Sequence, residues 1–174
     1  IQGSRVQLLA VRHGEAPPTF TSNSNLYLVD FCYDKDILSN LAKKHSKVVV
    51  IDHHETTKLN VVDNVEYCVA TDVSTSYLSW SYWFPSVEPP VLVKYINDYD
   101  MWRNALPYSK EVTAYIDGYY KNIGNWNYLC DLLEKDVIQV GALGSEMLKA
   151  KNSVVCDLLD NVRFESIGDY KVPV

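Results

Sequence analysis

Short apolar runs dominate the first part of the chain. They predict strands at residues 6–12, 26–30 and 47–51, of which the last is expected to be buried. A further strand is expected near residues 65–70 in a looser segment. Between the second and third runs, Ile37, Leu38 and Leu41 recur at helical spacing. Asp34 is placed to cap this helix, which would end near Lys44. A strand, a helix and a strand in this order predict a βαβ unit with parallel strands.

From Ser74 onward the pattern becomes helical. Helices are expected at residues 74–84, 90–102, 110–120, 125–134 and 137–159. Residues 169–174 have strand character. We therefore predict an α/β fold in which a Rossmann-like parallel sheet with flanking helices, about residues 1–73, precedes a mainly helical segment, about residues 74–168. Together they would form one domain over residues 1–174.

Composition narrows the choice of function. The 16 Lys and Arg and 22 Asp and Glu residues give a net charge of −6, which argues against binding of extended duplex nucleic acid. A small phosphorylated ligand stays compatible, because bound divalent cations reverse the local field near carboxylates. No apolar stretch approaches the ~18 residues of a membrane-spanning helix. The four cysteines form no Cys-x-x-Cys pair, so free thiols are expected rather than a structural zinc site.

Candidate chemistry appears where two predicted strands end. The run at 47–51 is followed directly by Asp52, His53 and His54, and the run before it ends in Asp30. Because carboxyl ends of neighbouring parallel strands meet at one edge of a sheet, Asp30 and Asp52 are expected on the same edge. Carboxylate and imidazole groups together suit Mn²⁺, Fe²⁺ or Zn²⁺. The pattern predicts a composite metal site there.

Three segments resemble the DHH phosphoesterase family. They read Leu28-Val29-Asp30-Phe31, Val50-Ile51-Asp52-His53-His54 and Asn97-Asp98-Tyr99-Asp100-Met101-Trp102-Arg103. The order and spacing agree over most of residues 5–174, and the chain is most similar to the phosphohydrolase or oligoribonuclease-like branch. The resemblance implies a two-metal site, usually of Mn²⁺ and otherwise of Mg²⁺ or another divalent metal. Such a site would hydrolyse phosphate esters of nucleotides or short oligonucleotides.

The resemblance also implies metal ligands. Asp30 stands at the position of the bridging carboxylate and His53 at that of the metal-ligating histidine. Asp98 stands at the position of the metal carboxylate in the family's fourth motif. Asp100 is a close neighbour that could be the ligand in its place.

Other residues would act on the substrate. The resemblance makes Asp52 a catalytic carboxylate that orients the site, and His54 a donor that binds the phosphate and stabilises developing charge. Ser74 resembles the small-residue helix start that precedes the fourth motif. We expect it to be an N-cap, and a phosphate at that helix start would make it a substrate-binding residue.

Two parts of the family pattern are not found in these residues. The first metal motif, of the His-x-x-x-Asp-x-Asp type, does not precede Val6. The smaller C-terminal domain with its Gly-Gly-Gly-His-like loop does not follow. We therefore expect a fragment of a longer two-domain protein. A cytoplasmic location is expected separately, and a homodimer is left open.

Two alternatives compete with the phosphoesterase. Residues 9–15 resemble the start of a histidine phosphatase, in which His13 after Arg12 would be phosphorylated. That family needs a second catalytic histidine far along the chain, whereas all four histidines here lie within the first 54 residues. The other alternative is an inactive or regulatory binding domain that keeps the DHH fold.

Overall fold

The computed structural model describes residues 6–21, 23–119, 121–160 and 162–173. The chain divides into two compact units, residues 1–88 and 89–174. The described elements of the first unit are β1 (Asn25–Val29), α1 (Lys35–Lys44), β2 (Lys47–Asp52), a 3₁₀ helix (Glu55–Asn60), β3 (Glu66–Val69) and α2 (Thr75–Trp83). Those of the second are α3 (Val91–Asp100), α4 (Ser109–Asp117), α5 (Ile123–Lys135), α6 (Val137–Leu159), β4 (Phe164–Ile167) and β5 (Tyr170–Pro173).

The first unit is built on a parallel sheet of order β1-β2-β3. The central strand β2 is buried on both faces, as is typical of parallel sheets covered by helices. Val48 and Val50 belong to a core cluster with α1, whereas Val49 and Ile51 pack with Leu78 of α2. Alternate side chains of β2 thus pack into two different core clusters, one on each face of the sheet. The predicted βαβ arrangement of β1, α1 and β2 is confirmed.

The strand predicted at residues 6–12 is wrong. These residues form no strand, and Val6 and Leu8 are 80% and 92% exposed. Apolar character is not sufficient for a strand, because the backbone also needs a hydrogen-bonded partner. Among the described residues, β1 pairs with β2 alone, so β1 forms an edge of the sheet.

The second unit is a helical cluster followed by a hairpin. Helices α3 to α6 share one core, formed by Leu92, Tyr95, Val112, Tyr115, Ile116, Leu129, Leu133 and Val140. Gly144 of α6 lies directly against the backbone of Glu111 in α4. The α6 bounds match the predicted helix, and the last residue predicted for α4, at position 120, lies outside the described residues.

The antiparallel hairpin of β4 and β5 ends the described chain. Strand β5 was predicted, although Val174 lies outside the described residues, whereas β4 was not. The four residues of β4 carry no pattern that distinguishes a strand from a loop. The strand forms because Gly168, with φ +59, reverses the chain and lets β5 pair with β4. Among the described residues, none of the helices combines the length and the apolar character needed to cross a bilayer.

Candidate metal centre

Asp30 stands directly after β1 in a left-handed backbone conformation, with φ +58. Its backbone N–H donates to the Ile51 carbonyl over 2.9 Å, which ties the turn to the end of β2. Asp is one of the few residues besides Gly that adopts this conformation readily. The turn therefore directs an exposed carboxylate to the carboxyl edge of the sheet, beside β2.

Asp52, at the end of β2, is only 1% exposed and acts as a hydrogen-bond hub. Its Oδ1 accepts from the backbone N–H of His53 over 2.8 Å and lies 2.8 Å from His54 Nδ1. Its Oδ2 accepts from the Thr57 hydroxyl. Burial by itself raises the pKa of Asp52, but the hydrogen bonds from Thr57, His54 and His53 outweigh it and hold the pKa below its ordinary value. Asp52 is therefore ionised at neutral pH.

The Asp52 carboxylate decides the tautomer of His54. An ionised carboxylate only accepts hydrogen bonds, so His54 Nδ1 must carry the proton. In a neutral imidazole this puts the lone pair on Nε2. A carboxylate behind an imidazole is the usual arrangement for a metal-ligating histidine, because it orients the ring and raises its basicity. Asp52 thus lies behind His54 and orients its ring. The catalytic role given to Asp52 stays a prediction.

The structure brings Asp30, His53 and His54 together. One ligand atom from each lies within 4.8 Å of the other two, and His53 Nε2 is 3.6 Å from Asp30 Oδ1. Two ligands that each lie about 2.1 Å from one ion are roughly 3–3.5 Å apart, so the His53–Asp30 distance is close to that needed. Two imidazoles with one carboxylate form a donor set for divalent transition metals. The residues present fit one such ion.

Two hydroxyl residues that the sequence analysis missed hold the carboxylates. Thr57, in the 3₁₀ helix, is 2% exposed and donates to Asp52, while Thr75, at the start of α2, donates to Asp30 Oδ1 over 2.8 Å. Neither position stands out in the sequence. A signal was present for Thr75 only, because it adjoins Ser74 at a predicted helix start.

Ser74 is confirmed as the N-cap of α2. It is fully buried, its Oγ accepts from the Tyr77 backbone N–H over 3.3 Å, and it lies 2.8 Å from Ser76 Oγ. These bonds satisfy the helix start from within the chain. The substrate-binding role given to Ser74 stays a prediction.

Asp98 lies in the second unit, where it organises the segment after α3. It is 5% exposed and accepts from the backbone N–H groups of Ala105 and Leu106 and from the Ser109 hydroxyl, over 3.0, 3.2 and 2.6 Å. Burial alone raises its pKa, but these bonds and the charge of Arg103 lower it overall. A structural role explains these contacts.

Asp100, the last residue of α3, is exposed. The roles of Asp98 and Asp100 as metal ligands stay predictions.

The segment around His13 does not have the structure expected for the start of a histidine phosphatase. The Arg12-His13-Gly14 sequence follows an irregular segment rather than a strand. Arg12 and Glu15 form a tight turn, in which the Glu15 N–H donates to the Arg12 carbonyl over 3.1 Å. The strand that would have placed a nucleophilic histidine at a sheet edge is not formed in this part of the chain.

Comparison with known proteins yields one curated relative. The chain is 22% identical over 145 residues to uncharacterized protein R106 of Acanthamoeba polyphaga mimivirus. The match covers 82% of this chain and 34% of that protein, so the chain spans about a third of the length of the curated relative it matches. No family model matches the chain, and no solved structure matches it.

Proposed function

We propose that this chain belongs to a metal-dependent phosphoesterase that hydrolyses phosphate esters of nucleotides or short oligonucleotides. The observation that carries the proposal is the convergence of Asp30, His53 and His54 at the carboxyl edge of a parallel sheet. The ionised Asp52 behind His54 adds a second element of a metal centre. The motif resemblance to DHH phosphoesterases supplies the reaction class.

Asp30, His53 and His54 would hold a divalent ion, for which Mn²⁺ is our first choice. This places His54 on the metal instead of on the substrate phosphate, because a neutral His54 with its proton on Nδ1 offers a lone pair at Nε2. When bound, such an ion polarises a phosphoryl oxygen and lowers the pKa of a coordinated water. The chain's own residues have defined tasks. Asp52 keeps His54 in the Nδ1–H tautomer, and Thr75 holds the Asp30 carboxylate by donating to it. A second ion, held with the help of Asp98 or Asp100, remains part of the proposal for the whole protein.

We also propose a Rossmann-like fold, a cellular location and a substrate size for this protein. The alternation of β1, α1 and β2, with helices on both faces of β2, supports a Rossmann-like arrangement. A cytoplasmic location and a nucleotide or short oligonucleotide as substrate are proposed with it.

Metal binding by this chain is the direct test. Calorimetric titration with Mn²⁺ is expected to show binding that Asp30→Asn and His53→Ala each weaken roughly tenfold or more, because losing even a group that only orients a ligand costs about 10–100-fold. Asp30→Asn keeps a side chain that tolerates the left-handed backbone. Asp36→Asn, an exposed acid in α1, is the charge-matched control and is expected to bind as the parent does.

Activity is measured on the full-length protein. Mn²⁺-stimulated release of phosphate or mononucleotide from short oligonucleotides is expected, and it should fall with the same two substitutions. Unchanged Mn²⁺ affinity and unchanged turnover in both variants would overturn the assignment.

A further inference from the structure

A groove opens beside the candidate metal centre. It has a volume of about 500 Å³, and its walls are the segment at residues 9–13 and the segment at residues 29–31. Asp30 belongs to the second wall, so the groove reaches one of the three candidate metal ligands. Arg12 and His13 belong to the opposite wall and are exposed.

The turn that carries Arg12 and His13 is held by local contacts. The Arg12 backbone N–H donates to Glu15 Oε2 over 3.0 Å, so the Glu15 carboxylate is engaged by the main chain. Gly14 has φ +83, a left-handed conformation that favours glycine and allows the chain to reverse there. The His13 ring lies 5.0 Å from the Phe31 ring, which docks the turn onto the residue that follows Asp30.

The groove combines Arg12 and His13 on one wall with Asp30 on the other. The net charge is −6, yet the first of these walls presents a guanidinium and an imidazole. Among the described residues, Arg12 forms no ion pair. A guanidinium matches the geometry of phosphate oxygens and binds them through paired hydrogen bonds. Apart from Arg12, His13 and Asp30, the residues that line the groove are apolar: Leu9, Ala10, Val11, Val29 and Phe31.

We propose that Arg12 and His13 form a phosphate-binding subsite for a nucleotide whose phosphoryl group lies between them and the metal held at Asp30. The apolar wall would take the uncharged part of the nucleotide. The proposal rests on the proposed function for its metal dependence, because the Asp30 carboxylate repels a phosphate until a cation covers it. Arg12 is then a specificity residue for the phosphate rather than a metal ligand.

Binding of adenosine monophosphate to the Mn²⁺-saturated chain tests the subsite. Calorimetry is expected to show that Arg12→Ala weakens this binding about tenfold or more, because a hydrogen bond to a charged group is lost. Mn²⁺ affinity should stay unchanged. The control is Arg163→Ala, which removes the same charge from an exposed position in the second unit and should have no effect. His13→Ala should also weaken the binding of adenosine monophosphate.

Two further arms separate the parts of the ligand. Inorganic phosphate should bind more weakly than adenosine monophosphate but lose affinity by a similar factor in Arg12→Ala, whereas any binding of adenosine should be insensitive to it. If Arg12→Ala and Arg163→Ala bind adenosine monophosphate equally, the subsite is overturned while the metal centre stands. If the parent chain binds no Mn²⁺, the proposed function fails. The subsite then falls with it, because the Asp30 carboxylate repels a phosphate when no cation covers that carboxylate.

Discussion

Thr57→Val isolates the support behind His54. The substitution keeps a branched side chain of similar volume but removes the hydroxyl that donates to Asp52 Oδ2. Thr57 is 2% exposed and Asp52 is 1% exposed, so water does not readily replace the lost donor. Hydrogen bonds to charged groups contribute about 1.5–3 kcal/mol. We expect the opening free energy of the β2 amides, measured by hydrogen exchange at pH 7, to fall by about that amount.

The loss should also depend on pH with a defined sign. The folded-state pKa of Asp52 lies below its unfolded value, so its contribution to stability is present above the unfolded pKa, about 3.9. That contribution disappears as the pH falls through the folded pKa. Thr57→Val removes one of the hydrogen bonds that lower the pKa of Asp52, so this pKa should be higher in the variant than in the parent. The difference in opening free energy between variant and parent should therefore shrink in acid below about pH 4.

The neighbouring residue provides the control. Thr56→Val makes the same chemical change at an exposed position of the same 3₁₀ helix and should alter stability by no more than about 0.5 kcal/mol. Mn²⁺ affinity should fall in Thr57→Val but not in Thr56→Val. Equal opening free energies for the two variants would refute the view that Asp52 is the hub of the site.

Three other outcomes are expected. Gly144→Ala should destabilise the second unit by at least the ~1–3 kcal/mol typical of overpacking, because its Cβ would clash with the Glu111 carbonyl oxygen; thermal unfolding measures this. Asp98→Asn should cost about 1.5–3 kcal/mol at pH 7, and because the folded pKa of Asp98 is lowered, the loss should diminish as the pH falls below about 4 in acid-unfolding curves. Iodoacetamide at pH 8 should modify the exposed Cys156 well before Cys32, whose pKa is raised to about 11 by burial and by the Asp52 charge; mass spectrometry of the digest follows this.

Each of these has a matched comparison. Gly124→Ala, where a new Cβ meets only Asn122 Oδ1 at 3.3 Å, should be neutral or stabilising, and a loss equal to that of Gly144→Ala would contradict the steric argument. Asp131→Asn, at an exposed position of α5, should show neither the cost nor the pH dependence of Asp98→Asn. Both thiols should react at similar rates in urea; a Cys32 that reacts as fast as Cys156 in the folded chain would disprove its protection.

Local pattern was enough to locate most elements. The runs that became β1, β2 and β3 were apolar and bounded by polar residues, and α6 showed helical periodicity from Val137 to Leu159. The segment at 6–12 looked equally apolar, yet it is irregular and exposed. Strand formation depends on a partner distant in the sequence, so apolar character alone could not distinguish the two cases.

The sequence by itself determined which residues could do chemistry. An Asp, His, His run after a buried strand, with another Asp ending the neighbouring strand, placed the candidate centre at one sheet edge because parallel strands end together. Only the tertiary structure decided how these groups are held. The tie between Asp30 and Ile51 and the hydrogen bond from Thr75 to Asp30 arise from contacts between elements that no local pattern encodes. The partners of Asp52 lie within five residues of it, but their burial around the carboxylate is decided by the fold. Hydrogen-bond partners far apart in the chain are selected by packing, and packing is a property of the whole fold.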